Sequence, residues 1–179
     1  MPKTIINKVL TVGHSTRSFG ELLALLKAYG VNQLVDVRSI PRSRHNPQFN
    51  KTVLGPKLRA RGLGYRHMPG LGGLRHARKD SLNTGWRNAS FRGYADYMQT
   101  AEFARNLKKL ITIAKKKRTA IMCAEALPWR CHRSLIADAL TVRGVPVIHI
   151  FGPTNSREHE LTSFARVRGG RITYGIIKP

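Results

Sequence analysis

Cys123 and Cys131, the two cysteines of the chain, fall within Met122–Ser134, a stretch that also holds Glu125, two arginines (Arg130 and Arg133) and His132. Each type has a distinct chemistry. Glu125 is a candidate general acid or base, or a stabiliser of a developing cation. Equally, it is a carboxylate that pairs Arg133 or Arg38 and holds the loop. Cys131 precedes a helical pattern starting near Ser134, so its thiol feels the positive end of a helix dipole and is a candidate nucleophile. His132 and Arg133 are candidates to bind an anion at the same helix start. Cys123 closes the apolar run Thr119-Ala120-Ile121-Met122-Cys123 and reads as a packed core thiol. Cys123, Cys131, His132 and His14 match no familiar zinc spacing, so no metal site and no cofactor is expected.

Two further segments carry similar chemistry. Val9-Leu10-Thr11-Val12 reads as a strand ending at Gly13-His14-Ser15, and Leu34-Val35-Asp36-Val37 as one ending at Arg38. Asp36 is a second candidate acid or base, although its place between valines favours a buried role. His14 joins the candidate catalytic set. Ser15, Arg38, Arg42, Arg44 and Arg75 are candidates to hold substrate phosphates, and Arg38 is equally a candidate partner for Asp36. Tyr65, Trp86 and Trp129 are candidates to stack on a base. The run Gly70-Leu71-Gly72-Gly73 lacks the spacing and the lysine of a P-loop.

The elements that must position these residues are legible as alternating strands and helices. Ser18 with Glu21 reads as a capping box opening a helix through Leu22, Leu23, Leu25 and Leu26, closed by Gly30. With its flanking strands this makes a β-α-β unit. Leu54–Leu63 reads as a short helix and Gly64–Met68 as a brief strand. Regularity weakens from Pro41 to Asn88, which in a compact domain marks a functional or mobile segment. Helices are expected over Phe91–Met98, Ala101–Lys117 and Ser134–Val142, and strands over Thr119–Cys123, Val147–Ile150 and, as an edge, Ile172–Ile176. The pattern predicts one α/β domain over residues 1–179, with a mainly parallel sheet flanked by helices. In such a sheet the carboxyl ends of the strands share one rim, where His14, Asp36, Arg38 and Glu125 would meet.

Charge narrows the partner. The chain carries 32 Lys and Arg against 9 Asp and Glu, a net charge of +23. Such an excess attracts polyanions, nucleic acid above all, with affinity that falls steeply with salt. No long apolar segment suggests a membrane. Met1-Pro2-Lys3-Thr4-Ile5-Ile6 lacks the apolar core of a signal peptide, so a cytoplasmic location with reduced thiols is expected.

The segments Thr11-Val12-Gly13-His14-Ser15-Thr16, Leu34–Pro41, Asn46-Pro47-Gln48-Phe49, Leu71-Gly72-Gly73 and Met122–Glu125 through Cys131-His132-Arg133 together resemble the domain of unknown function 488 family. The likeness covers residues 9–150 and leaves 151–179 as a basic extension. Members of that family are often labelled as DNA repair proteins. The resemblance therefore implies what the charge suggests: an enzyme directed at nucleic acid, DNA in preference to RNA. The expected reaction is excision of a modified base by an N-glycosylase, with Glu125 or Asp36 activating water. A non-catalytic nucleic-acid-binding module and a thiol-dependent enzyme of small molecules are the alternatives.

Overall fold

The computed structural model describes residues 8–175. The opening segment read for a leader, and Ile176 of the expected edge strand, lie outside them. One sheet of six strands organises the chain, in the order β3-β2-β4-β1-β5-β6. Its strands are β1 (Val9–Gly13), β2 (Gln33–Asp36), β3 (Gly64–His67), β4 (Thr119–Cys123), β5 (Val147–Gly152) and β6 (Asn155–Glu158). The first five are parallel and β6 is an antiparallel edge. The helices are α1 (Phe19–Ala28), α2 (Lys51–Arg59), α3 (Ala89–Tyr97), α4 (Ala101–Lys116) and α5 (Arg133–Thr141). The α/β architecture expected from the sequence is present.

Strand alternation divides the core between the two faces of the sheet. Leu10, Val12, Leu34, Ala120 and Met122 point toward α1 and α2, where Leu22, Leu26, Leu54 and Leu58 meet them. Val9, Val35, Ile121 and Cys123 point the other way, against Tyr94 of α3, Phe103, Leu107 and Leu110 of α4, and Leu135 and Ile136 of α5. Burial on both faces explains why these strands read as continuous apolar runs. The capping box forms as expected: the Ser18 hydroxyl accepts from the Glu21 amide, and the Glu21 carboxylate accepts from the Ser18 amide.

Two expectations are corrected. Ile172–Ile176 does not add an edge strand to the main sheet. Arg166–Arg168 (β7) and Arg171–Thr173 (β8) instead pair as a separate hairpin, and the edge is taken by β6, a strand of four exposed residues with no apolar signal. Nor is the irregular segment after β3 loose. Tyr94 and Tyr97 donate to the carbonyls of Leu71 and Gly70. The buried Asp96 carboxylate accepts from the Arg78 amide, the Ser81 hydroxyl and the Asn83 side chain. One acidic residue of α3 thus ties down residues that form no regular structure.

Candidate active site

Strand order places the site. β1 is followed by a helix on one face of the sheet and β4 by a helix on the other, and the two strands are neighbours, Gly13 opposite Cys123. A crevice opens where connections diverge from adjacent parallel strands, and ligands of open α/β sheets bind there. The amides of His14 and Ser15 donate to the carbonyls of Cys123 and Ala124, and the Val37 amide to that of Met122. Three strand ends are thereby locked into one rim, as the sequence pattern predicts. A β-carbon on Gly13 would collide with the carbonyl of Glu125, so the close approach of the β1 end to the β4–α5 loop depends on glycine. Ser15 adopts a left-handed backbone (φ 47°), the one non-glycine residue among those described to do so.

Two hollows open from the rim and share Arg38, Ile40, Ala124 and Glu125. One, of about 400 Å³, is lined further by Ser39, Leu74, Phe91, Cys123, Arg130, Cys131 and His132. The other, of about 410 Å³, is lined by His14, Ser15, Arg42, Ser43 and Asn46. Glu125 is exposed and is the one carboxylate lining either; its side chain makes one long bond, from the Leu127 amide at 3.4 Å. Ile40 and Leu74 stand at the mouth of the first hollow, 65% and 70% exposed. Sequence reading passed over both, although an isoleucine beside Arg38, Ser39 and Pro41 was the available signal.

Asp36 lies behind this rim, fully buried. Its carboxylate receives Arg38 through Nε at 2.9 Å and Nη2 at 2.6 Å, the Arg38 amide at 3.2 Å and the Tyr65 hydroxyl at 2.7 Å. So saturated, it orients Arg38 and is remote in role from the exposed Glu125. The remaining Arg38 donors reach the carbonyl of Phe49 and Nε2 of His14, at 2.7 and 3.2 Å. A guanidinium donor at Nε2 makes that nitrogen an acceptor, so the His14 proton sits on Nδ1 and is donated to the Ser15 carbonyl at 2.8 Å. Burial, helped by the Arg38 charge, pulls the His14 pKa down to about 4, and the ring is neutral at pH 7.

The other predicted residues fall around this centre. Arg42 lines the second hollow and Arg44 is exposed nearby in the chain. Arg75 lies over the Tyr97 ring, 3.5 Å from its centroid, beside Leu74. Tyr65 spends its hydroxyl on Asp36. Trp86 stacks on Phe91, meets Phe164 edge-on and Tyr174 at a tilt, and lines neither hollow; Trp129 is exposed but lines a different cavity. His132 donates from Nε2 to the Val37 carbonyl at 2.9 Å, which leaves Nδ1 an acceptor, 3.5 Å from Cys131 Sγ.

Arg133 departs most from expectation. It is 1% exposed, its guanidinium turned into the protein. It donates to the carbonyls of Glu125 and Ala126, to Thr11 Oγ1 at 3.1 Å and to Cys123 Sγ at 3.0 Å. Arg133 therefore does hold the loop of Glu125, through its backbone rather than its carboxylate. From Thr11 a chain of hydrogen bonds continues through His149, His159 and Asp138, at 2.7, 2.9 and 2.8 Å. Cys123 is consequently a partner of a buried charge and not only a packing thiol. Both ring nitrogens of His14 are committed, so it does not complete a metal set, and no group of three or more metal-ligating side chains is disposed around a common point among the described residues. No described helix is long and apolar enough to cross a membrane.

No curated protein and no solved structure was found to match the chain. A family does: residues 18–140, which span α1 through most of α5 and carry Asp36, Arg38, Cys123, Glu125 and the Cys131-His132-Arg133 triplet, match its model. The chain belongs to the family described as Domain of unknown function DUF488.

Proposed function

We propose that the protein is an enzyme that acts on nucleic acid, DNA in preference to RNA, by excising a base turned out of its strand. The observation that carries this reading is the position of Glu125, a solitary exposed carboxylate between two hollows of an otherwise cationic rim. The first hollow suits a base. Its volume and its apolar walls of Ile40, Leu74 and Phe91 favour a flat aromatic group. Exposed aliphatic side chains at its mouth resemble the wedges that hold a duplex open once a base has left the stack.

In this reading Glu125 orients and deprotonates the attacking water and faces the cation that develops on the sugar. The N-glycosidic bond breaks with its electron pair leaving on the base, the water oxygen bonds to C1′, and a proton is returned to the departing base. Arg42 and Arg130 lie where flanking phosphates would pass, and Arg38, fixed by Asp36, supplies a rigid positive charge to the shared wall. Asp36 is thus a positioning residue.

Incubation with oligonucleotides bearing uracil, alkylated or oxidised bases, with and without chelator, tests the proposal. Alkali-labile abasic sites that form regardless of chelator are expected on at least one substrate. Glu125→Gln should lower that rate by about 100-fold or more while leaving the Kd within a few-fold. Binding without turnover of any substrate would overturn the reading and leave a nucleic-acid-binding module.

A further inference from the structure

The Arg133 guanidinium is buried with no carboxylate within ion-pair distance among the described residues. Its oxygen acceptors are two carbonyls and a hydroxyl, all neutral. A desolvated cation needs a compensating negative charge. The ionisable atoms beside it among the described residues are sulfurs: its Nε donates to Cys123 Sγ, and Cys131 Sγ lies 2.6 Å from that sulfur. Cys131 Sγ also accepts the Arg133 amide, at 3.4 Å, in the first turn of α5. Two free thiols thus stand in contact beside one buried cation. Burial pushes the Cys123 thiol well up. Cys131 is also pushed up by burial, but the Cys123 hydrogen bond and Arg133 outweigh this and bring it down to about 7. Both sulfurs line the first hollow, whose wall carries Arg38 and Arg130.

We propose that Cys131 and Cys123 form a thiol–disulfide exchange couple whose co-substrate is an anionic, low-molecular-weight disulfide entering by that hollow. The Cys131 thiolate attacks one sulfur of the disulfide. A Cys131–S–S–R bond forms, and the first R–S⁻ leaves with the electron pair of the broken S–S bond. Cys123 then gives its proton to the released R–S⁻. Its sulfur attacks Cys131 Sγ and expels the second R–S⁻. The two protein thiols are oxidised by two electrons and the disulfide is reduced to two thiols. The assignment of roles follows from position: Cys131 sits at a helix N-terminus beside His132, whereas Cys123 closes a buried strand. This activity is independent of base excision, since neither uses the other's reacting atoms.

The test is incubation of fully reduced protein with glutathione disulfide, acid quenching and mass spectrometry. Loss of two hydrogens and a peptide linking Cys123 to Cys131 are expected. The rate should rise as pH passes through about 7, the value to which Cys131 is lowered. Cys123→Ser should halt at one glutathione on Cys131, and Cys131→Ser should react about tenfold more slowly or less. Should Cys123→Ser fail to fold, the linked peptide and the pH profile of the unaltered chain decide the matter. Thiols that stay unmodified in the folded protein yet react once denaturant is added would overturn the proposal, as would glutathione adding equally to both cysteines.

Discussion

Arg38 grips both carboxylate oxygens of Asp36, and the two residues are only two positions apart in sequence. The pair is out of water on both sides, with side chains 8% and 0% exposed. Replacing one member leaves the other as an uncompensated buried charge. Asp36→Asn is expected to cost about 3–5 kcal/mol in urea denaturation. Tyr65→Phe, which removes a single hydrogen bond to the same carboxylate, should cost about 1 kcal/mol. Equal small losses would mean that the ion pair does not organise the rim.

Glu125 should behave oppositely. Its side chain is exposed and bonded once, weakly, so Glu125→Gln should change stability by no more than about 0.5 kcal/mol. A large activity loss at unchanged denaturation midpoint separates a reacting group from a structural one.

Acid should destabilise the protein before most carboxylates protonate. Burial lowers His14 from 6.5 to about 4 and His149 from 6.5 to about 3. Both rings are neutral when folded and take up protons on unfolding, so the unfolded chain binds more protons below pH 6.5. The stability they contribute is present above that pH and is lost as pH falls toward 4. Denaturation midpoints measured from pH 7 to pH 4 should fall steadily, and a His14→Gln variant should flatten the trend. A flat profile in the unaltered protein would contradict the buried neutral rings.

Local signals account for what could be read in advance. The Ser18–Glu21 capping box and the apolar strands are set by spacing within one element, and all are seen. Convergence of His14, Arg38 and Glu125 followed from parallel strands ending together. What escaped depends on contacts between distant segments. Insertion of β4 between β1 and β2 is not encoded by either neighbour. Arg133 opens a short helix, where an arginine ordinarily reaches solvent. Yet α5 is covered on nearly every side, so the side chain turns inward to Cys123 and Thr11. Asp36 was legible as buried and as a partner open to Arg38, two positions on; that the same arginine also reaches His14 and the carbonyl of Phe49 is a matter of tertiary packing.

Gly13→Ala tests the packing of the rim. The added methyl meets the Glu125 carbonyl and the backbone of Ala126, neither of which is a flexible side-chain end. A cost of about 1–3 kcal/mol is expected, with turnover lost through displacement of Glu125. Unchanged stability and unchanged turnover would show that the loop yields freely.

Charge predicts the salt response. Arg166, Arg168 and Arg171 project from the exposed β7–β8 hairpin with no carboxylate in ion-pair range among the described residues. If they meet phosphates, each arginine replaced by alanine should reduce the slope of log K against log salt by about 0.9 for duplex DNA. A slope unaltered in the triple variant would place the nucleic acid elsewhere on the surface.

The two oxygens of Asp138, on α5, receive His159, the Thr162 amide and the Tyr174 hydroxyl, all from the stretch beyond residue 150. Likeness to relatives and burial of charge therefore draw different borders through this molecule. A chain trimmed to the shared region would keep every reacting group yet strand an anion in its interior. The tail is thus a keystone of the helix that carries Cys131 and Arg133 at its start, and an excised fragment is a poor stand-in for the whole.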